Sequence, residues 1–349
     1  MSDAPSAPAS GEPAGQADRF HRTLGVLPAT AVNMTQMCGI GPFITIPLIV
    51  VAMGGPQAVL GWIAGAILAL ADGLVWGELG ASMPGAGGTY LYLREAFQYR
   101  TGKLMPFLFI WTAMLFIPLI MSTGVIGLVS YLRFFFPHLS AWQGHLIGLG
   151  VTALVVVALY RRIERVRVLT TTLWAVMVLA VGLTIAAAYS GFHPSLAFSY
   201  PPGAFSGGSA FFAGLGAGLL IAIYDYLGYN TTAYMADELK QPGRVLPRSI
   251  IFSILGIMVC YLALNIGVVG VIPWRQVAHT TSVASVVVTA NWGHAAADVV
   301  TVLILITAFA SVLAGLLGGS RVPYNAAKDG VFFAAFGRLH PRAASRTSP

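Results

Sequence analysis

Asp225 is the residue whose chemistry is hardest to explain as packing. It falls inside the apolar run GGSAFFAGLGAGLLIAIYDYLGYNTTAYMADELKQPGRVLPRSI from 207 to 250, among Tyr224, Tyr226, Tyr229, Asn230, Thr231 and Thr232. A carboxylate in membrane hydrocarbon costs about 2.5–3.5 kcal/mol on insertion scales, so it must face the protein interior and have a partner. The second group of interest is backbone. In AVNMTQMCGIGPFITIPLIVVAM, from Ala31 to Met53, Gly39, Gly41, Pro42 and Pro47 interrupt a stretch long enough to span. Pro42 has no N–H and its ring presses on the Cys38 carbonyl, so the helix is expected to break there. Main-chain groups freed at mid-depth are tolerated only where they face protein, water or a ligand, so this break is expected to hold something polar, as a transporter's substrate site would.

The elements that must position these groups are membrane spans. Charged residues are 9% of 349 and the AVILMFWYC set is 57%, where a soluble chain has about a quarter charged; mean hydropathy is +0.78. Eight apolar spans are expected, at 24–53, 57–82, 104–132, 142–160, 168–190, 208–236, 249–272 and 297–319. With the N-terminus inside, seventeen Lys and Arg fall on one face and only Arg133 and Arg275 on the other. That bias predicts a cytoplasmic N-terminus in a multi-pass protein of the cytoplasmic membrane. The basic residues are scattered between spans instead of forming one patch, so no nucleic-acid partner is expected despite the net charge of +7. Residues 1–19 and 343–349 read as disordered tails around a membrane domain over 20–342. Between spans two and three, Tyr90, Leu91, Leu93, Ala96 and Phe97 predict a short amphipathic helix at the interface.

Enzymatic chemistry finds no support. The seven histidines lie mostly at ends and loops without metal-ligand spacing, and Cys38 and Cys260 each sit in an apolar segment. No cofactor is expected. A channel is disfavoured because no ring-forming filter sequence appears.

The two interrupted spans are the first and the sixth, as two five-span halves of opposite orientation would place them. With GIGPF at 39–43, ELGASMPGAGGTYLYLREAF at 78–97, YLGYNTTAYMADELKQPGRVLP at 226–247 and SRVPYNAAKDGVFFAAFGRLHP at 320–341, the chain resembles the amino acid–polyamine–organocation superfamily of permeases. The resemblance implies an all-α, LeuT-like inverted-repeat (5+5) fold, with a first repeat over 24–190, a partial second over 208–319 and a cytoplasmic segment over 320–342. It implies secondary transport of amino acids by alternating access. The substrate carboxylate would sit on the N–H groups of Gly39, Ile40 and Gly41, with the half-helix starting near Phe43 lending its positive end. Carbonyls around Cys38 and Ile223 would take the ammonium and Tyr224 would cap the site. Asp225 and Gly228 would fall in the unwound part of span six, and Ser311 would line the site or bond back to its own helix.

Three departures from the family pattern stand out. Pro42 removes one donor from the carboxylate cradle. Polyamine-type members of the family share Gly-Pro-Phe and carry acids near the sites of Asp72 and Asn230. A polyamine or other organic cation, with Asp225 and Asp72 as counter-charges, is therefore the alternative substrate; Asp72 held by a neighbouring side chain is the plainer reading. Glu78 is expected to pair with a basic loop residue. The fifth span lacks the lysine that carries the proton in many relatives, with Trp174 near that position, which leaves H+, Na+ or exchange open. The fold needs ten core spans and the chain ends after eight, so it is expected to be a truncated permease that transports poorly, or a binding-only receptor.

Overall fold

A computed structural model describes residues 22–338 apart from 86, 161 and 162. The tails expected over 1–19 and 343–349 lie outside the described residues. The fold is helical throughout, because hydrocarbon supplies no hydrogen bonds and each span must satisfy its own backbone. In chain order the helices are α1 (Val26–Met37), α2 (Gly41–Met53), α3 (Val59–Ser82), α4 (Thr89–Thr101), α5 (Leu104–Leu132), α6 (Ala141–Leu159) and α7 (Ile163–Ser190). They continue with α8 (Pro194–Ala197), α9 (Ser209–Tyr226), α10 (Thr231–Tyr234), α11 (Pro242–Val271), α12 (Trp274–Val277), α13 (Val283–Trp292), α14 (His294–Gly319) and α15 (Arg321–Lys328).

Among the described residues seven helices are long and apolar enough to cross a membrane, and the pair α1–α2, bent by 48°, makes an eighth if it counts as one broken span. Their positions agree with the eight expected runs, and α4 takes the place of the expected interfacial helix. The span expected over 208–236 is helical only to Tyr226; beyond it come a turn, the four-residue α10 and a 3₁₀ turn at Ala236–Glu238.

The core lies where α1, α2, α3, α7, α9, α11 and α14 meet. Trp62, Phe43, Tyr226 and Tyr261 are its largest fully buried side chains there. Close approach of α3 to its neighbours depends on small residues, the usual device where lipid removes the hydrophobic drive between helices. A Cβ on Gly61 would come within 3.3 Å of the Gly218 backbone on α9, and one on Gly77 within 3.4 Å of Pro247 on α11. At the end of the bundle carrying α4 and α15, the entering chain is pinned by main-chain bonds. Thr23 and Leu24 N–H donate to the Glu238 carbonyl at 2.9 and 3.0 Å, and Lys240 N–H donates to the Leu24 carbonyl at 3.0 Å.

Candidate substrate site at the two helix breaks

The first break is built as proline chemistry requires. α1 stops at Met37, where the Cys38 N–H makes its last bond back to the Met34 carbonyl at 2.8 Å. α2 restarts at Gly41 with Pro42 in its first turn, the position at which a missing N–H costs nothing. Between them, among the described residues, the N–H groups of Gly39 and Ile40 have no acceptor in the protein. They lie beside the N-terminal end of α2, whose aligned peptide dipoles favour an anion.

The second break has no proline. Leu227 turns to extended backbone and Gly228 takes φ +121°, a conformation that strains any other residue. A side chain on Gly228 would also meet Gln36 Cγ at 2.5 Å, so the two breaks abut through it.

One hydroxyl joins both helix ends: Tyr261 Oη lies 2.8 Å from the Met37 carbonyl and 3.1 Å from the Asp225 carbonyl. Behind the breaks Trp62 packs edge to face on Tyr226 and Tyr261, with ring centroids 6.1 and 5.0 Å apart, and the two tyrosine rings lie tilted at 5.3 Å from each other. In front of the breaks opens a cavity of about 300 Å³, at the small end of the range for small-molecule sites. It runs along α5 and the second half of α14 to Thr89 and Gly319, toward the end of the bundle that carries α4 and α15.

Of the residues singled out in the sequence, Gly39, Ile40, Gly41, Tyr224, Asp225, Gly228 and Ser311 line this cavity, and Asn230 lines it with them. Cys38, Phe43 and Ile223 do not. Cys38 and Phe43 are fully buried, the Phe43 ring 6.2 Å from Tyr131, and Ile223 stays within α9. Asp225 is 3% exposed and belongs to the last turn of α9, not to the unwound segment, because the winding fails only after Tyr226. Its Oδ2 accepts from the Thr45 hydroxyl on α2, which also lies 3.0 Å from the Gly41 carbonyl, while Oδ1 has no partner among the described residues. Ser311 Oγ does not bond to its own helix; it donates to the Gln36 carbonyl at 3.1 Å and ties α14 to α1. The hydroxyls of Tyr224 and Thr123 are bonded to each other, and both residues line the cavity.

Other expected roles fall differently. Asp72 does not line the cavity; it sits on an exposed face of α3 and accepts from the Tyr229 hydroxyl, the structural-acid reading. Glu78 is exposed and makes no ion pair among the described residues, since no basic loop residue reaches it. Trp174 on α7 is half-buried, its indole N–H without an acceptor among the described residues. The sequence did not point to Gln36, nor to the apolar wall from α5 and α14: Phe116, Ile117, Ile120, Met121 and Val312. α5 is apolar on every face, so no periodicity marks its inward side. Gln36, a lone amide two residues before the break with a buried, unpartnered Oε1, was the one available signal.

Two discontinuous helices meeting at an internal cavity, within a bundle of spans, define a polytopic membrane protein. The chain belongs to the amino acid permease family, whose model matches residues 24–346. The branched-chain amino acid permease BcaP of Bacillus subtilis is 26% identical over 342 residues, covering 92% of this chain and 70% of the relative. The glutamate/serine transporter AimA of the same organism is 24% identical, covering 93% and 62%. A D-serine/D-alanine/glycine transporter of Escherichia coli O6:H1 is 29% identical, covering 63% and 48%. The chain thus spans between about half and 70% of the length of these relatives. Family and relatives are transporters, not enzymes.

Proposed function

We propose that this chain forms the substrate-binding part of a permease that moves neutral, apolar amino acids across the cytoplasmic membrane by alternating access. Its N-terminus faces the cytoplasm, as the bias of basic residues supports, and the cavity then opens toward the cytoplasm. The observation that carries the reading is that Gly39 and Ile40, whose N–H groups have no acceptor among the described residues, line the cavity at the positive end of α2. The substrate carboxylate sits there with Gly41, and its ammonium faces the negative, carbonyl ends of α1 and α9. The side chain lies against Ile120, Met121 and Val312, an apolar wall that suits a branched aliphatic group such as that of the substrates named for BcaP. Among the described residues no Lys, Arg or His lines the cavity.

The test is binding and uptake of radiolabelled L-leucine by the full chain, purified and reconstituted in liposomes. Saturable binding supports the reading. Its absence, with isoleucine and valine also failing to bind, overturns it. Binding without uptake marks a receptor or a part that needs the remaining helices.

A second reading draws on the unpartnered Asp225 Oδ1: an organic cation such as a polyamine, with Asp225 as counter-charge. Competition of leucine binding by putrescine, lost in Asp225→Asn, would favour it.

A further inference from the structure

The outer side of α5 and the segment after α15 meet away from the cavity. Leu104, Leu108, Trp111 and Leu115 recur on α5 at helical spacing and are all exposed, so this face of the span is turned to lipid. Residues 331–338 return against that face. The Phe332 and Phe333 rings stand edge to face on Trp111 at centroid distances of 5.8 and 6.2 Å, and Phe336 packs on Phe332 at 5.1 Å. Trp111, Phe333 and Phe336 remain exposed in spite of these contacts. Trp111 lies roughly 12 Å along the helix axis from Lys103, and a helical side chain leans toward the N-terminus of its helix. The rings therefore sit where acyl chains give way to headgroups, the level at which aromatic residues gather in membrane proteins.

Two turns bring positive charge to the top of this face. Gly102, at φ +58°, ends α4, and Gly330, at φ +65°, follows α15. A Cβ on Gly330 would lie 3.7 Å from Lys103 Nζ, so the two turns touch. Lys103 is exposed and donates to the Asp329 carbonyl at 2.8 Å, while the Asp329 carboxylate is taken by Arg94 and the Tyr90 hydroxyl. A carbonyl occupies one of the three ammonium hydrogens and leaves the charge uncompensated. Arg100 and Arg338 are also exposed, and neither makes an ion pair among the described residues. Over 94–103 and 328–338 the sequence holds Arg94, Arg100, Lys103, Lys328 and Arg338 against Glu95 and Asp329, five charges against two. The corner thus carries a surplus of positive charge directly above bare aromatic rings.

We propose that the α4–α5 corner and residues 331–338 form a binding site for an anionic phospholipid, with its phosphate on Lys103 and an acyl chain along Trp111, Phe333 and Phe336. The headgroup is one without a cation of its own, such as phosphatidylglycerol, because choline or ethanolamine would add positive charge where it is already in excess. The rings select a lipid over a phosphate ion from solution, which would leave them bare. The leaflet is the one at the end of α4 and α15, cytoplasmic in the orientation proposed above. Thr89, the first residue of α4, lines the cavity, so the lipid sits on the helix that borders the cavity's end.

The test uses the purified full chain in nanodiscs of phosphatidylcholine, into which phosphatidylglycerol with brominated acyl chains is titrated. Bromine quenches an indole on contact, and the Trp111 share of the fluorescence is the difference between the unaltered chain and Trp111→Phe. Phosphatidylglycerol should half-quench that share at a mole fraction about fivefold lower than brominated phosphatidylcholine, the preference expected from one basic residue at an anionic headgroup. Lys103→Gln, a change at an exposed position, should bring the two lipids level, and Lys103→Arg should keep them apart. Glycerol phosphate in the buffer should leave the quenching unchanged. Equal half-quenching by the two lipids in the unaltered chain overturns the proposal, and that arm needs no variant to fold. Trp111 untouched by either lipid overturns it too and shows the face covered by protein. A preference that survives Lys103→Gln, or one abolished by glycerol phosphate, removes the phosphate from Lys103 or the lipid from the site. None of these outcomes depends on what the cavity binds.

Discussion

The Tyr261 hydroxyl lies 2.8 Å from the Met37 carbonyl, the last of α1, and 3.1 Å from that of Asp225 on α9. One side chain from an unbroken span thus covers the exposed carbonyl ends of both broken ones, groups that lipid and core packing would leave unsatisfied. Tyr261→Phe keeps the ring and removes the hydroxyl. It should cost about 1–3 kcal/mol, the range for stranding buried polar groups, read as a lower midpoint of thermal unfolding in detergent. Leucine binding should weaken in parallel. An unchanged midpoint would mean that water replaces the hydroxyl.

Gly39 and Ser311 make a second contact that can be tested by restoring space. A Cβ on Gly39 would lie 2.5 Å from Ser311 Oγ and 2.6 Å from its Cβ. Gly39→Ala should weaken leucine binding by at least about tenfold, equivalent to 1.4 kcal/mol. The double change Gly39→Ala with Ser311→Gly should recover most of that loss. A double variant no better than the single one would show that the glycine is required for its backbone and not for room.

Arg321 and Glu238 form the most buried ion pair among the described residues, at 2.8 Å, with side chains 14% and 5% exposed. Glu238 also offers the carbonyl that pins Thr23 and Leu24. Arg321→Met strands a buried carboxylate, and a loss of about 3–5 kcal/mol is expected. Adding Glu238→Gln should return much of it. Thermal denaturation of the two variants and the double variant makes the comparison, and equal midpoints for single and double would count against it.

At the same end of the bundle, Asp329 accepts from Arg94 at 2.6 Å and from the Tyr90 hydroxyl at 3.0 Å, fastening α4 to the segment after α15. Burial and the neighbouring Asp329 carboxylate push the Tyr90 phenol above its ordinary range, so it remains a donor through neutral and mildly alkaline pH. The ion pair is over a quarter exposed on both sides, so Asp329→Asn should change global stability by less than about 1 kcal/mol. Amide hydrogen exchange in α4 should nevertheless speed up. Unaltered exchange there would place the anchor of α4 elsewhere, in the buried Tyr90, Leu91 and Tyr92.

The sequence announced the first break because proline leaves a continuous helix no option at Cys38–Pro42. The second was harder to read: Gly228 marks it, yet nothing in the composition says whether Asp225 is the last wound residue or the first unwound one, and that depends on whether Tyr261 can reach its carbonyl. α13 escaped notice for a related reason. Its ten residues, VASVVVTANW, are too short to cross and are held by burial of Val283, Ala284, Val287 and Val288 against other helices. The cavity wall from α5 was equally hidden, since a helix apolar on all sides carries no mark of which side looks inward.

The glycines along α3 bear on how such a molecule can move. Gly77 brings the α11 backbone in close, a Cβ there lying 3.4 Å from Pro247 Cα, and Gly73 and Gly80 seat the side-chain tips of Ile254 and Leu246 of α11. A seam without slack does not slide, since a shift of a fraction of an ångström brings hard atoms into collision. α3 and α11 should therefore travel as one stiff plate, and the flexing is left to the joints at Gly39 and Gly228. A tether engineered across the plate would pass unnoticed by the working protein, whereas the same tether between Gln36 and Ser311 would jam it.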